Sequence, residues 1–396
     1  MTFSPLVIVS AVLHAYVGWR LLPGLGALPL PLMMGLVLLL STVLMPLALH
    51  GRSLLRQLWA ERLRWVGLVL MGFFSSLFVL TLLRDASLGA LWLLEAALNP
   101  PWQLDWAALQ AQSARAVTLL GLLVTVIGFV NARRTSAVVR VDVPIRDLPL
   151  ALRGFTVAQI SDIHVGPTIR QAYLERIVNK VNSLQADMVA ITGDLVDGSV
   201  AALSAHVAPL ATLRSRHGTF FVTGNHEYYS GASAWIRELR RLGLTVLMNE
   251  HVVLYHGLVG AQGADAQDDS QIMAPLVLAG VTDFGAHHFD EAQRSDPRAA
   301  LAGAPPAAPV RVLLAHQPRT APAAEAAGFD VQLSGHTHGG QFWPWNLFVR
   351  FQQPFTAGLH RLGRLWVYTS RGTGYWGPPK RFGAPSEITL LRLVAA

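Results

Sequence analysis

A chain of 396 residues that is 52% hydrophobic and only 14% charged is too apolar for an ordinary soluble protein, and long enough for two or three domains. It contains no cysteine, which excludes disulfides and thiolate metal sites and leaves nitrogen and oxygen as the only metal ligands. The net charge of +7 comes from scattered arginines with no nucleic-acid motif, so it points to a lipid bilayer as partner and not to nucleic acid.

Residues 1–132 hold only eleven charged side chains, separated by long uncharged stretches. A bilayer-spanning helix needs about 20 mostly apolar residues. Four segments are expected to span: Met1–Trp19, Leu21–Gly51 (interrupted by Pro29, Pro31 and Pro46), Trp65–Leu83, and the run between Arg115 and Arg133. "LGALWLLEAAL", after Arg84, is short and expected at the interface. The first segment lacks the basic n-region and A-x-A site of a cleaved signal peptide. Orientation follows the arginine bias of short loops. Arg52, Arg56, Arg62 and Arg64 precede the third segment, and Arg133, Arg134 and Arg140 follow the fourth. With four spans these loops share one side, which puts the N-terminus and the C-terminal domain in the cytoplasm. Arg20, Arg84 and Arg115 then fall at the outer ends, against the bias.

From Val138 the pattern changes. "AVVRVDVPI" alternates like a strand, and "RDLP" reads as a turn. Strands are expected at "FTVAQI", "MVAIT", "TFFVT", "LVLAGV", "VRVLLA", "VQLS", "LWVYT" and "EITLLRLV". Helices are expected at "IRQAYLERIVNKVNSLQ", "HVAPLATLRSR" and "ASAWIRELRRLG", and loops at "GADAQDDSQ" and "AGAPPAAP". This alternation argues for α/β layers. The organisation is thus a transmembrane region over 1–132, a linker with a first strand over 133–154, and an α/β domain over 155–396.

Polar residues gather where these strands end. "SDIHVG" supplies Asp162 and His164, "GDLVDG" Asp194, "GNHEYY" Asn225 and His226, "AHQP" His316, and "SGHTHGGQ" His336 and His338. Each alone has a plain reading: a chance D-x-H, a turn, a helix cap, a hydrogen-bonded core histidine. Five in order, each after an apolar strand, make chance a poor explanation, because ligands of α/β sheets gather at the carboxyl ends of strands. The nine other histidines lie in no such Gly-flanked motif and read as structural or surface residues.

This motif series resembles that of the calcineurin-like metallophosphoesterase superfamily, over about residues 138–396. It looks closest to the membrane-anchored bacterial branch of UDP-2,3-diacylglucosamine pyrophosphatase-like enzymes. The resemblance implies an α-helical transmembrane region plus an α/β metallophosphoesterase domain built as a four-layer αββα sandwich. It implies two divalent metal ions, of which Mn, Fe and Zn suit the donors. Asp162, His164 and His338 would hold one, Asn225, His316 and His336 the other, and Asp194 both. His226 would stabilise transition-state charge or protonate the leaving group. After "GDLVDG" come Ser199 and Val200, where the protein phosphatases carry a phosphate-binding arginine, which argues against a protein phosphatase.

The expected function is therefore hydrolysis of a phosphodiester or pyrophosphate bond in a phosphate-ester substrate, lipid-linked or nucleotide-linked and acyl-bearing, at the bacterial inner membrane. The alternative is a non-catalytic metal-binding membrane sensor or scaffold. A transporter with an accessory domain is a third reading, set against by the absence of Asp, Glu, Lys and Arg from the apolar stretches. Two aromatic clusters, "QFWPWNLFVRFQQPF" and "GYWGPPKRF" with Lys380 and Arg381, are expected to face lipid.

Overall fold

The computed structural model describes residues 5–49, 57–98, 100, 103–257 and 273–396. Arg52, Arg56 and the whole "GADAQDDSQ" loop lie outside the described residues, as do the side chains at 57–60. Two units are present: Met1–Arg133 with Gly377–Phe382, and Arg134–Trp376 with Gly383–Ala396.

The first unit contains α1 (Pro5–Leu21), α2 (Leu30–Leu49), α3 (Gln57–Leu98) and α4 (Trp106–Arg133). All four helices are long and apolar enough to cross a bilayer. Val17, Leu21, Leu38, Phe74, Leu77 and Val117 form their common interior. Helices that lack a hydrophobic drive between them associate where small residues let backbones approach. Gly67 does this on α3: a Cβ there would overlap the Leu44 carbonyl of α2.

The sequence led us to expect a span ending near Leu83 and a separate interfacial stretch. Instead α3 is one unbroken helix of 42 residues. At 1.5 Å per residue it is about 63 Å long, about twice the hydrocarbon thickness. Arg84 and Asp85 do not end it because their charges are met within the bundle. Asp85 accepts from Tyr16 Oη at 2.7 Å, Arg20 Nε at 2.7 Å and Arg84 Nη1 at 2.9 Å. The "GYWGPPKRF" expectation also changes. Tyr375, Lys380 and Arg381 are buried, and the Lys380 ammonium donates to the Gly72 carbonyl and the Ser76 hydroxyl. Of that cluster's named residues, Trp376 alone is exposed.

The second unit begins with β1 (Ala137–Ile145), β2 (Thr156–Ile160), α5 (Gln171–Asn182), β3 (Met188–Ile191), α6 (Val200–Val207), β4 (Thr219–Phe221), α7 (Asn225–Ser230), α8 (Ala232–Arg241) and β5 (Thr245–Val246). It continues with β6 (Glu250–Gly257), β7 (Met273–Gly280), α9 (Pro297–Ala300), β8 (Val310–Leu314), α10 (Ala321–Ala327), β9 (Val331–Ser334), α11 (Trp345–Phe348), β10 (Gly358–Leu362), β11 (Leu365–Thr369) and β12 (Glu387–Ala395). These strands make two six-stranded sheets, ordered β1-β12-β2-β3-β4-β5 and β10-β11-β9-β8-β7-β6.

Strand alternation decides where each face goes. Met188 and Ala190 of β3 and Val310, Val312 and Leu314 of β8 share one core between the sheets. The opposite residue of β8, Leu313, joins Ala300 of α9 and Ala321 and Ala324 of α10 in an outer core. On the other sheet, Val189 and Ile191 face away from the shared core and are equally buried. In the same unit α5 buries Tyr173, Leu174, Ile177, Val178 and Val181, one stripe of an amphipathic helix. The result is the expected αββα layering. The expected "HVAPLATLRSR" helix is displaced: α6 ends at Val207, and a 3-10 turn follows over Ala208–Thr212, led by Pro209.

Candidate metal centre

β2, β3 and β4 run parallel in one sheet, and β8 and β9 run parallel in the other. Parallel strands bring their carboxyl ends to one edge, and the polar motifs begin there. Ligand atoms of Asp162, His164 and His338 lie within 4.8 Å of one another, as do those of Asp194, His316 and His336, and those of His164, Asp194 and His226. Asn225 opens α7, and the backbone N–H of His226 donates to Asp194 Oδ1 at 2.9 Å. All eight sequence-predicted residues thus sit at the same edge.

The backbone is forced at this edge. Among the described non-glycine residues with positive φ are Asp162 (53°), His164 (56°), Asp194 (51°), His336 (72°) and His338 (51°). Such a conformation costs about 1–2 kcal/mol per residue, so surrounding bonds must hold it. Asp162 N donates to Gly193 O at 3.0 Å, and His164 N donates to Asp194 O at 3.1 Å. His336 N donates to Asp162 Oδ1 at 2.9 Å. The buried Glu227 carboxylate accepts from Asp194 N at 3.0 Å, Leu195 N at 2.8 Å and Gly224 N at 2.6 Å. Two strand ends and the start of α7 are therefore fastened to one side chain.

Two residues missing from the sequence reading matter here. Asp197 Oδ1 lies 3.0 Å from His164 Nδ1 and 2.6 Å from His226 Nδ1. It orients both rings and leaves each Nε2 for the centre. Glu227 is the other. Both stand inside motifs already singled out, "GDLVDG" and "GNHEYY", and an acid beside a ligand was the available signal.

The charges interlock. Burial pulls the His164 ring down, but the carboxylates of Asp197, Asp194 and Asp162 together raise it to about 9. Burial likewise opposes Asp197, and His164 and His226 hold it down at about 2. Burial likewise lowers His316, but Asp194, Asp162 and Asp283 together raise it well above its ordinary value. His336 is lowered to about 3 by burial and by the neighbouring His316. Burial, then the like charge of Asp194, raises Glu227 to about 7.

Whether these residues fit divalent cations can be tested on their spacing. Two ligands about 2.1 Å from one cation and at a right angle to each other lie about 3.0 Å apart. His164 Nε2 lies 3.0 Å from His338 Nε2, and His316 Nε2 lies 3.2 Å from both His336 Nδ1 and Asp194 Oδ2. Ring nitrogens converging in pairs suit a shared cation better than a shared proton. The Asn225 Oδ1 atom is buried with no hydrogen-bond partner among the described residues, an acceptor that a cation would satisfy. The rings are also held from behind: His316 Nδ1 hydrogen-bonds the Thr192 carbonyl at 2.7 Å. The donor set fits.

Comparison with known proteins gives a consistent picture. The sequence profile of the calcineurin-like phosphoesterase family matches residues 155–340, a range that contains all eight residues. A bovine (Bos taurus) transmembrane protein with metallophosphoesterase domain is 42% identical over 280 residues, covering 69% of this chain and 61% of that protein. A Campylobacter jejuni metallophosphoesterase is 35% identical over 265 residues, covering 66% of this chain and 64% of that one. An Aquifex aeolicus metallophosphoesterase is 31% identical over 236 residues, covering 59% of this chain and 82% of that one. The chain spans less than two-thirds of the bovine and Campylobacter relatives.

Proposed function

The chain belongs to the calcineurin-like phosphoesterase family, and on that premise we propose that it is a membrane-anchored, metal-dependent phosphohydrolase cleaving a phosphodiester or pyrophosphate bond. The observation that carries this reading is the convergence of seven polar side chains from five strand ends, with the buried Oδ1 of Asn225, next to His226 in the chain, lacking a hydrogen-bond partner among the described residues. Asp162, His164 and His338 would hold one divalent cation, Asn225, His316 and His336 a second, and Asp194 both. When bound, such a pair of Mn, Fe or Zn ions supplies Lewis acidity at the phosphoryl oxygens and a nucleophile at neutral pH. Asp197 fixes the His226 ring through Nδ1, so Nε2 presents the proton to the leaving-group oxygen. Residues 1–132 serve as the anchor, 133–154 as linker and first strand, and 155–396 as the catalytic domain on the cytoplasmic face of a bacterial inner membrane.

The substrate proposed is an acyl-bearing one, with a nucleotide-linked acyl sugar of the UDP-2,3-diacylglucosamine type as the leading candidate. Support comes from the surroundings of His226. The exposed rings of Tyr229 and Trp376 lie edge-on to it, with centroids 5.3 Å and 5.8 Å away. A leaving group protonated by His226 would depart between apolar surfaces. The test compares hydrolysis of acylated and deacylated forms of one phosphodiester by the full chain in nanodiscs, alongside Asp194→Asn and a metal assay of both proteins. The parent should hold two equivalents of metal and prefer the acylated form, and Asp194→Asn should lose both metal and turnover. Full activity and two metals in Asp194→Asn would sink the catalytic reading. Equal rates on the two substrates would sink only the acyl preference.

A further inference from the structure

Between Val331 and Ser386 the sequence contains no Asp or Glu but six Lys and Arg. Inside this stretch, just past the motif that carries His336 and His338, lies a short apolar surface. Trp345, Leu347, Phe348 and Phe351 fall within seven residues, on α11 and the 3-10 turn Val349–Phe351 that follows it. Their exposures run from 47% for Trp345 to 74% for Phe351. Phe342 and Phe355 of the same sequence cluster turn inward instead, the first buried and the second against the outer core. Scattered exposed hydrophobics are ordinary, but four large ones in about two turns of chain are not. Arg350 stands among them with its guanidinium 5.1 Å from the Phe351 ring centroid. Arg319, also exposed, donates to the carbonyl of Gln352 at 2.7 Å.

We propose that Trp345–Phe351 is a membrane-docking element that inserts its apolar side chains into the interface of an anionic bilayer. Trp and Phe beside arginine, in a stretch of sequence without an acid, match the chemistry of a headgroup layer with negative surface potential. Chain connectivity makes the bilayer the local partner: only residues 134–136 separate the end of α4 from β1. A tether of that length spans about 14 Å when extended. Membrane helices on the same chain therefore keep the bilayer at high effective concentration, so a few partly inserted side chains suffice where they would fail for a free protein. The segment is fastened to the metal-motif turn, since a Cβ on Gly340 would overlap the backbone of Asn346. Docking would thus hold the mouth of the candidate centre against the lipid surface. This inference rests on the membrane-anchored part of the proposed function and is independent of catalysis.

The absence of cysteine makes the test direct. Single cysteines replace Phe351 and, as reference, Ser233, an exposed residue of α8. Each full-length protein receives an environment-sensitive fluorophore and is placed in nanodiscs of phosphatidylcholine with or without phosphatidylglycerol, containing brominated lipid. At position 351 the brominated lipid should quench at least about half the emission and protect the label from aqueous iodide, more strongly with phosphatidylglycerol. The Ser233 label should respond to iodide alone. Equal behaviour of the two labels overturns the proposal. So does a position-351 label shielded from iodide yet blind to brominated lipid, which would mean that a protein surface covers it. Quenching that ignores phosphatidylglycerol overturns the anionic preference. None of these readouts depends on hydrolysis, so failure of docking and failure of the proposed activity are distinguished.

Discussion

Asp197 is not among the proposed ligands, yet its carboxylate faces both His164 and His226. Its consequence is a pH dependence whose sign can be worked out. Without a cation, the His164 ring is raised to about 9, burial being overcome by Asp197 together with Asp194 and Asp162. A ring that binds a cation must be neutral, so below about pH 9 binding displaces a proton and apparent affinity rises with pH. One displaced proton gives about a tenfold gain per pH unit, and the raised His316 steepens the slope. Competition with a fluorescent chelator at about pH 6.5, 7.5 and 8.5 should therefore show steadily tighter metal binding. In Asp197→Asn the slope should flatten at lower pH, because the ring loses the carboxylate at its Nδ1 and keeps only Asp194 and Asp162 to stabilise its proton. An affinity independent of pH in the parent would contradict this account. The eight predicted residues were legible because small, Gly-flanked motifs after apolar runs announce them. Asp197 and Glu227 were not, because an acid that accepts hydrogen bonds looks in sequence like any other acid, and only the folded contacts separate the roles.

Elements differ in how much of themselves they show in sequence. β3 and β8 were legible because strands buried on both faces read as unbroken apolar runs. β5, β6 and β10 were not. β5 is two residues long, and β6 and β10 are sheet edges whose outward positions are polar or half-exposed. α3 was misjudged for a different reason: Arg84 and Asp85 look like a helix boundary until Tyr16 and Arg20 are known to meet them. The turn after β9 carries the clearest prediction at this scale. Gly335 is packed so tightly that a Cβ would overlap Ser161 Oγ and Asp162 Oδ2. Gly335→Ala should push Asp162 out of position while leaving the sheet intact, since Gly335 lies past the last residue of β9. Circular dichroism should be unchanged, and metal content should fall by at least one equivalent. A variant with full metal content would show that the strand ends can separate without harm to the centre.

For the whole molecule the open quantity is which side of the membrane the catalytic unit occupies. Lys and Arg in short loops set orientation, and acids contribute little. Arg52, Arg56, Arg62, Arg64, Arg133, Arg134 and Arg140 fall on one side of a four-span arrangement, and Arg20, Arg84 and Arg115 on the other, seven against three. The unusual length of α3 does not change the parity, because a helix unbroken from Gln57 to Leu98 crosses once however far it projects. Arg20 and Arg84 are moreover engaged with Asp85, Ser113 and the Gln110 carbonyl, so packing accounts for their presence at that end. Both the N-terminus and the catalytic unit are therefore expected on the cytoplasmic side. A fluorescent reporter that matures only in the cytoplasm, fused after Ala396 and expressed in a bacterium, should be bright. A phosphatase reporter active only in the periplasm should be silent at the same junction. The reverse pair of results would place the centre outside the cytoplasm, and it would also remove cytosolic nucleotide-linked sugars from the proposed substrates, because the phosphoester must reach His226 from the side on which it is made.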